Sequence, residues 1–156
     1  MATPRVSRVL TLTEGLGEEH RRLRHILDDL LGAAGAGRSD IAASSFATLR
    51  RGLHRHISVE DEMVFPAFEE RTGMRDSGPT VTMRREHREI ERRVEAIADA
   101  IEQDDAATVT AQAGELAALL DDHARREEGA LYPTCDRLMD ARERARVLRA
   151  AGPKRR

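Results

Sequence analysis

Apolar residues in this chain return every three to four positions, in long stretches separated by short breaks. Such spacing lines one face of an α-helix, and nowhere do apolar and polar residues alternate for long enough to suggest a strand. The first stripe is Leu16, Leu23, Leu27, Leu30 and Leu31, with Thr11 or Thr13 as its cap and Glu14 near its positive end. A glycine-rich segment through Gly32, Gly35 and Gly37 ends it. A second helix is expected over about 41–70, on Phe46, Leu49, Leu53, Met63 and Ala67, with Pro66 kinking it or ending its regular part. The segment 73–79, with two glycines and Pro79, is the clearest break.

A third helix begins near residue 80 and carries Met83, Ile90, Val94, Ile97 and Ile101 on one side. The fourth is expected over about 106–139, on Val109, Leu116, Leu119, Leu120, Ala130, Leu131, Thr134 and Leu138. Residues 141–150 extend it or form a short terminal helix. Amphipathic helices with short connections predict an all-α fold, an antiparallel up-down four-helix bundle. The expected division is a lead over 1–12, the bundle over 13–139, and a short helix or basic tail over 140–156.

Polar residues interrupt these stripes in a pattern of their own. His56-Ile-Ser-Val-Glu60-Asp61 is matched by His123-Ala-Arg-Arg-Glu127-Glu128, and Phe65-Pro66 by Tyr132-Pro133. A Glu-His pair precedes each block, Glu19-His20 and Glu86-His87. All these matches share one offset of 67 residues, so the chain reads as a duplicated two-helix unit. Residues i and i+4 of a helix lie only about 40° apart, which puts His56 with Glu60 and His123 with Glu127 on one face. That face is the apolar one, and His20 and His87 lie in the stripes of their own helices. Four histidines and two carboxylates therefore converge on the middle of the bundle.

Composition narrows the setting. The chain is 40% apolar and 35% charged, with 3% aromatic residues and no Trp, a helical vocabulary. A net charge of −2, with arginines interleaved among Asp and Glu, gives no reason to expect nucleic acid. The Lys154-Arg155-Arg156 end reads as a basic tail. A single cysteine excludes an internal disulfide and suits a reducing cytoplasm. No apolar run resembles a signal peptide or a membrane span, so neither secretion nor a membrane partner is expected.

Ionised carboxylates buried without partners would cost several kcal/mol each, by rough estimate, and a metal ion supplies the partner. Imidazole with carboxylate suits iron, with manganese or zinc less favoured; one tetrahedral zinc cannot use six ligands. Two irons can, each taking two histidines from His20, His56, His87 and His123, with Glu60 and Glu127 bridging.

The order His, His-x-x-x-Glu, His, His-x-x-x-Glu, with Phe65-Pro66 and Tyr132-Pro133 after each carboxylate, resembles the hemerythrin-like, or HHE cation-binding, family over about residues 16–139. The resemblance implies a non-haem di-iron site with oxo or hydroxo bridges, reacting with dioxygen, peroxide or nitric oxide. Oxygen-carrying members have a fifth histidine four residues after the histidine of the third helix. Here that position is Glu91, which is read as a further ligand, a group behind the ligands, or a carboxylate on the rim. Peroxide or nitric oxide stress chemistry, of a catalase-like or nitric oxide-reactive kind, is therefore expected over reversible oxygen carriage. Oxygen or redox sensing and iron storage are the alternatives, and no protein partner is indicated.

Around the centre, His25 and His54 are expected off the metal face, and Asp61 and Glu128 at the surface or behind the ligands. Tyr132 either bonds toward the centre or packs beneath the proline. Cys135 is expected as a buried small apolar residue rather than a thiolate.

Overall fold

The computed structural model describes residues 8–152, so Pro4 in the lead and the Lys154-Arg155-Arg156 tail lie outside the described residues. Every regular element among the described residues is helical. The long elements are α1 (Leu12–Gly35), α2 (Ser39–Val59), α4 (Pro79–Glu102) and α5 (Ala106–Arg126). Shorter ones are α3 (Phe65–Thr72), α6 (Tyr132–Leu138) and α7 (Ala141–Ala151). Helix α1 packs along α2 and α5, α4 packs along α5, and α2 meets α4 over a shorter stretch. None of these helices is long and apolar enough to cross a membrane.

Local chemistry sets the ends. Thr11 caps α1, its hydroxyl accepting from the Glu14 N–H at 3.1 Å while the Glu14 carboxylate accepts from the Thr11 N–H at 2.9 Å. Thr13 is not the cap; its hydroxyl donates to Asp136 at 2.7 Å, and the Leu12 N–H donates to the same carboxylate at 2.6 Å. Asp136 of α6 thus satisfies free N–H groups at the start of α1. Asp140 and Glu143 make the same reciprocal cap on α7.

The second and fourth helices run close to their expected spans, over 39–72 and 106–138, but neither keeps one pitch. Each passes through a π turn, Glu60–Val64 and Glu127–Leu131, closed by Phe65 N–H to the Glu60 carbonyl and Tyr132 N–H to the Glu127 carbonyl. Pro66 and Pro133 follow at once. A proline lacks an N–H and clashes with the carbonyl four residues back, and a wider turn relieves both problems. The extra residue advances the buried stripe by one position. Val64, Phe65 and Phe68 are buried where Met63 and Ala67 were expected; Tyr132, Cys135 and Met139 replace Ala130, Thr134 and Leu138.

The core falls into two apolar clusters. One gathers Leu23, Leu27, Leu30, Phe46, Ile97 and Leu116 with their neighbours. The other gathers Leu12, Leu16, Phe65, Phe68, Met83 and Tyr132 with theirs. Along α1 and α4 the break between them falls at His20 and His87, so the polar centre is enclosed at both ends. Close to it, a Cβ on Gly52 would come within 2.5 Å of Leu23 Cδ2, so the Leu23 side chain fills the space beside this glycine.

Candidate metal centre

Four helices each deliver one histidine to the same place: His20 from α1, His56 from α2, His87 from α4 and His123 from α5. Glu60 and Glu127 open the two π turns and are fully buried. These six residues form two groups of potential ligand atoms, each mutually within 4.8 Å: His20, His56, Glu60 and Glu127, then Glu60, His87, His123 and Glu127. Both carboxylates belong to both groups.

Within each group the imidazoles face each other through Nε2, at 3.1 Å for His20 and His56 and 3.2 Å for His87 and His123. Their other nitrogens meet carboxylates: His20 Nδ1 lies 2.8 Å from Glu128, His87 Nδ1 2.9 Å from Asp61, and His123 Nδ1 2.7 Å from Glu86. A neutral imidazole that donates its Nδ1 proton in this way presents a bare lone pair at Nε2, the form a metal ligand needs.

The aromatic residues after the π turns complete the lining. Phe65 stacks on His87 with ring centres 5.4 Å apart, and Tyr132 on His20 at 5.6 Å. Phe65 has no polar tip. The Tyr132 hydroxyl donates a hydrogen bond to Glu60 and lies 3.2 Å from His20 Nε2.

Charge shows what the site demands. Burial raises the Glu60 pKa, but His56 and His87 outweigh burial and hold it well below the ordinary carboxylate range. Burial likewise disfavours imidazolium at His20, yet Glu127, Glu60 and Glu128 raise its pKa to about 9. At His87, Asp61 and Glu60 overcome burial and raise it to about 10. Two enclosed carboxylates thus call for positive charge. Protons on imidazole are one source of it and a metal cation is another.

The donor atoms favour the cation. Glu60 Oε2 is 3.0 Å from His87 Nε2, and Glu127 Oε1 is 2.9 Å from His123 Nε2. Neither oxygen is hydrogen-bonded despite these distances, and Glu127 Oε2 has no partner either. Proximity without hydrogen-bonding direction is what a ligand set aimed at a common ion gives, so the residues fit a metal.

A family model described as the hemerythrin HHE cation binding domain matches residues 11–135. The chain belongs to the hemerythrin family. The match covers both His-x-x-x-Glu blocks and ends before α7. No curated protein and no solved structure matches the chain.

Set against the hemerythrin ligand pattern, Glu91 is the departure. It is exposed and belongs to neither group. With Arg50 and Arg51 it borders a cavity of about 480 Å³ between α2 and α4, on the rim rather than among or behind the ligands. His25 and His54 are exposed. Asp61 and Glu128 stand behind the histidines. Glu86, at His123 Nδ1, is not among the residues expected at the site, although its place in a repeated Glu-His pair is a signal. A second cavity, of about 430 Å³, opens over His20, His56 and His123, walled by Leu23, Leu53 and Ile90.

Proposed function

We propose that this protein is a non-haem di-iron member of its family that reacts with peroxide, nitric oxide or dioxygen, with peroxide and nitric oxide stress chemistry favoured over reversible oxygen carriage. The observation that carries the reading is the sharing of Glu60 and Glu127 between two histidine pairs. One ion would use a single pair, and carboxylates common to both pairs suit two adjacent ions. The frame for this is an antiparallel up-down bundle of four long helices over 13–139, supported by the short connections at 36–38 and 103–105. A buried, reduced Cys135 fits a cytoplasmic setting.

When bound, a pair of irons supplies two-electron redox chemistry at positions that small ligands reach. The protein's own groups do the rest. Glu128, Asp61 and Glu86 fix the tautomers of His20, His87 and His123. Burial, then Glu127 and Glu60, raise the Tyr132 pKa well above that of a free phenol, so its hydroxyl stays protonated and keeps donating to Glu60. The cavity over His20, His56 and His123 offers a path for a small molecule, walled by Leu23, Leu53 and Ile90 with Arg21, Arg24 and Arg125 also along it. With Glu91 exposed, each position holds two imidazoles, the symmetric arrangement that argues against oxygen carriage.

Purified protein loaded with iron should hold two irons per chain. His56→Ala and Glu127→Ala should abolish that binding, whereas His54→Ala should not. Peroxide added to the loaded protein should give sustained oxygen evolution. A single stoichiometric spectral change without turnover would shift the reading to sensing, and fully folded protein that takes up no iron would sink it.

A further inference from the structure

Three of the four imidazoles at the centre carry a carboxylate on Nδ1, and His56 does not. Its Nδ1 is enclosed and has no partner. The repeat makes this unexpected, because Glu19 stands to His56 in the chain as Glu86 stands to His123.

The difference lies three residues further along α1. Arg22 forks onto Glu19, Nη2 to Oε1 at 2.6 Å and Nε to Oε2 at 3.0 Å, so one guanidinium takes both carboxylate oxygens. Arg55 adds a second positive charge 3.9 Å from Oε1. Its own Nε donates to the Ala151 carbonyl at 3.2 Å, so the end of α7 steadies this clamp. In the second repeat the residue matching Arg22 is Glu89, which cannot bind Glu86. Glu86 instead divides its oxygens, Oε1 to Arg126 at 2.5 Å and Oε2 to His123 Nδ1 at 2.7 Å.

We propose that Arg22, backed by Arg55, withholds Glu19 from His56 and makes the two metal positions unequal, the His20–His56 position being the weaker. The inference rests on the two-metal reading. A carboxylate on the far imidazole nitrogen orients the ring and makes the ligating nitrogen more basic, and losing one costs roughly 10- to 100-fold in metal affinity. Both His87 and His123 have that support; of the other pair only His20 does. Glu19, Arg22 and Arg55 are positioning residues here, acting through His56.

The test is equilibrium competition for ferrous iron, without oxygen, between the full chain and a chromogenic chelator, with circular dichroism as the fold control. Wild type should bind in two steps of one iron each, with dissociation constants about 10- to 100-fold apart. Repulsion between neighbouring cations also separates two steps, so the variants decide. Glu86→Gln should weaken the tighter step, and Asp61→Asn should do the same through His87 if the first variant does not fold. Glu19→Gln should leave both steps unchanged. Arg22→Ala should strengthen the weaker step, and adding Glu19→Gln should cancel that gain. A Glu19→Gln effect as large as that of Glu86→Gln, or no gain from Arg22→Ala, overturns the inference and leaves the two-metal reading standing. Fewer than two irons per chain at saturation overturns that reading and this inference with it.

Discussion

Tyr132 shows how much one atom changes at the centre. Phe65 and Tyr132 hold matching places in the repeat and stack on matching histidines, but of the two only Tyr132 reaches a carboxylate shared by both groups. Among the described residues its hydroxyl is the one uncharged donor to Glu60, and because its pKa is raised it donates across the working pH range. Removing the hydroxyl leaves a buried carboxylate oxygen without that donor, at a cost of about 1–3 kcal/mol. Tyr132→Phe should therefore keep the fold, lower the unfolding free energy of iron-loaded protein by about that amount, and release iron faster. Denaturant titration and chelator challenge would check both. Wild-type values in both would mean that the tyrosine only packs.

At the scale of the helices, the two glycines inside α2 and α5 should respond to alanine with opposite signs. Gly114 is exposed in α5 with nothing within 4 Å of a built Cβ, so Gly114→Ala should stabilise by about 0.5–1 kcal/mol through helix propensity. Gly52→Ala gains the same propensity but drives a methyl into Leu23, which is fixed in the core, and overpacking costs about 1–3 kcal/mol. Thermal melts of both should move in opposite directions. Helix identity and the six ligand candidates were legible in the sequence because the 3.6-residue stripe and the 67-residue offset are properties of spacing. The π turns were not. A stripe read at constant pitch cannot register one added residue, so it runs through Ala130, Thr134 and Leu138, although Tyr132 and Cys135 are buried as their own chemistry suggests. Nor can spacing show which carboxylate meets which imidazole. Asp61 and Glu128 cross to the histidine of the other repeat unit, whereas Glu86 stays within its own.

Across the whole molecule, the centre lies between two apolar clusters and ties them together through six side chains. That arrangement makes metal a stabiliser of the entire bundle, and Cys135 can report it. The thiol lies in the cluster with Phe65 and Tyr132 and is fully enclosed. Burial, followed by the negative charges of Asp136, Glu60 and Glu127, pushes its pKa up to about 12, so at pH 8 it is a protonated thiol out of reach of reagent. Labelling then requires opening of the structure. A ligand that binds only the folded state multiplies protection by its excess over the dissociation constant, about 100-fold for each ion bound at 100 times that ion's constant. Iron-loaded protein should accordingly label at least about 100-fold more slowly than chelated protein at that free-iron level, the factor for a single ion. Equal rates would mean that the Cys135 end opens while the six ligands stay assembled. The two clusters would then unfold independently, and the metal would fasten only the one around Leu27 and Ile97.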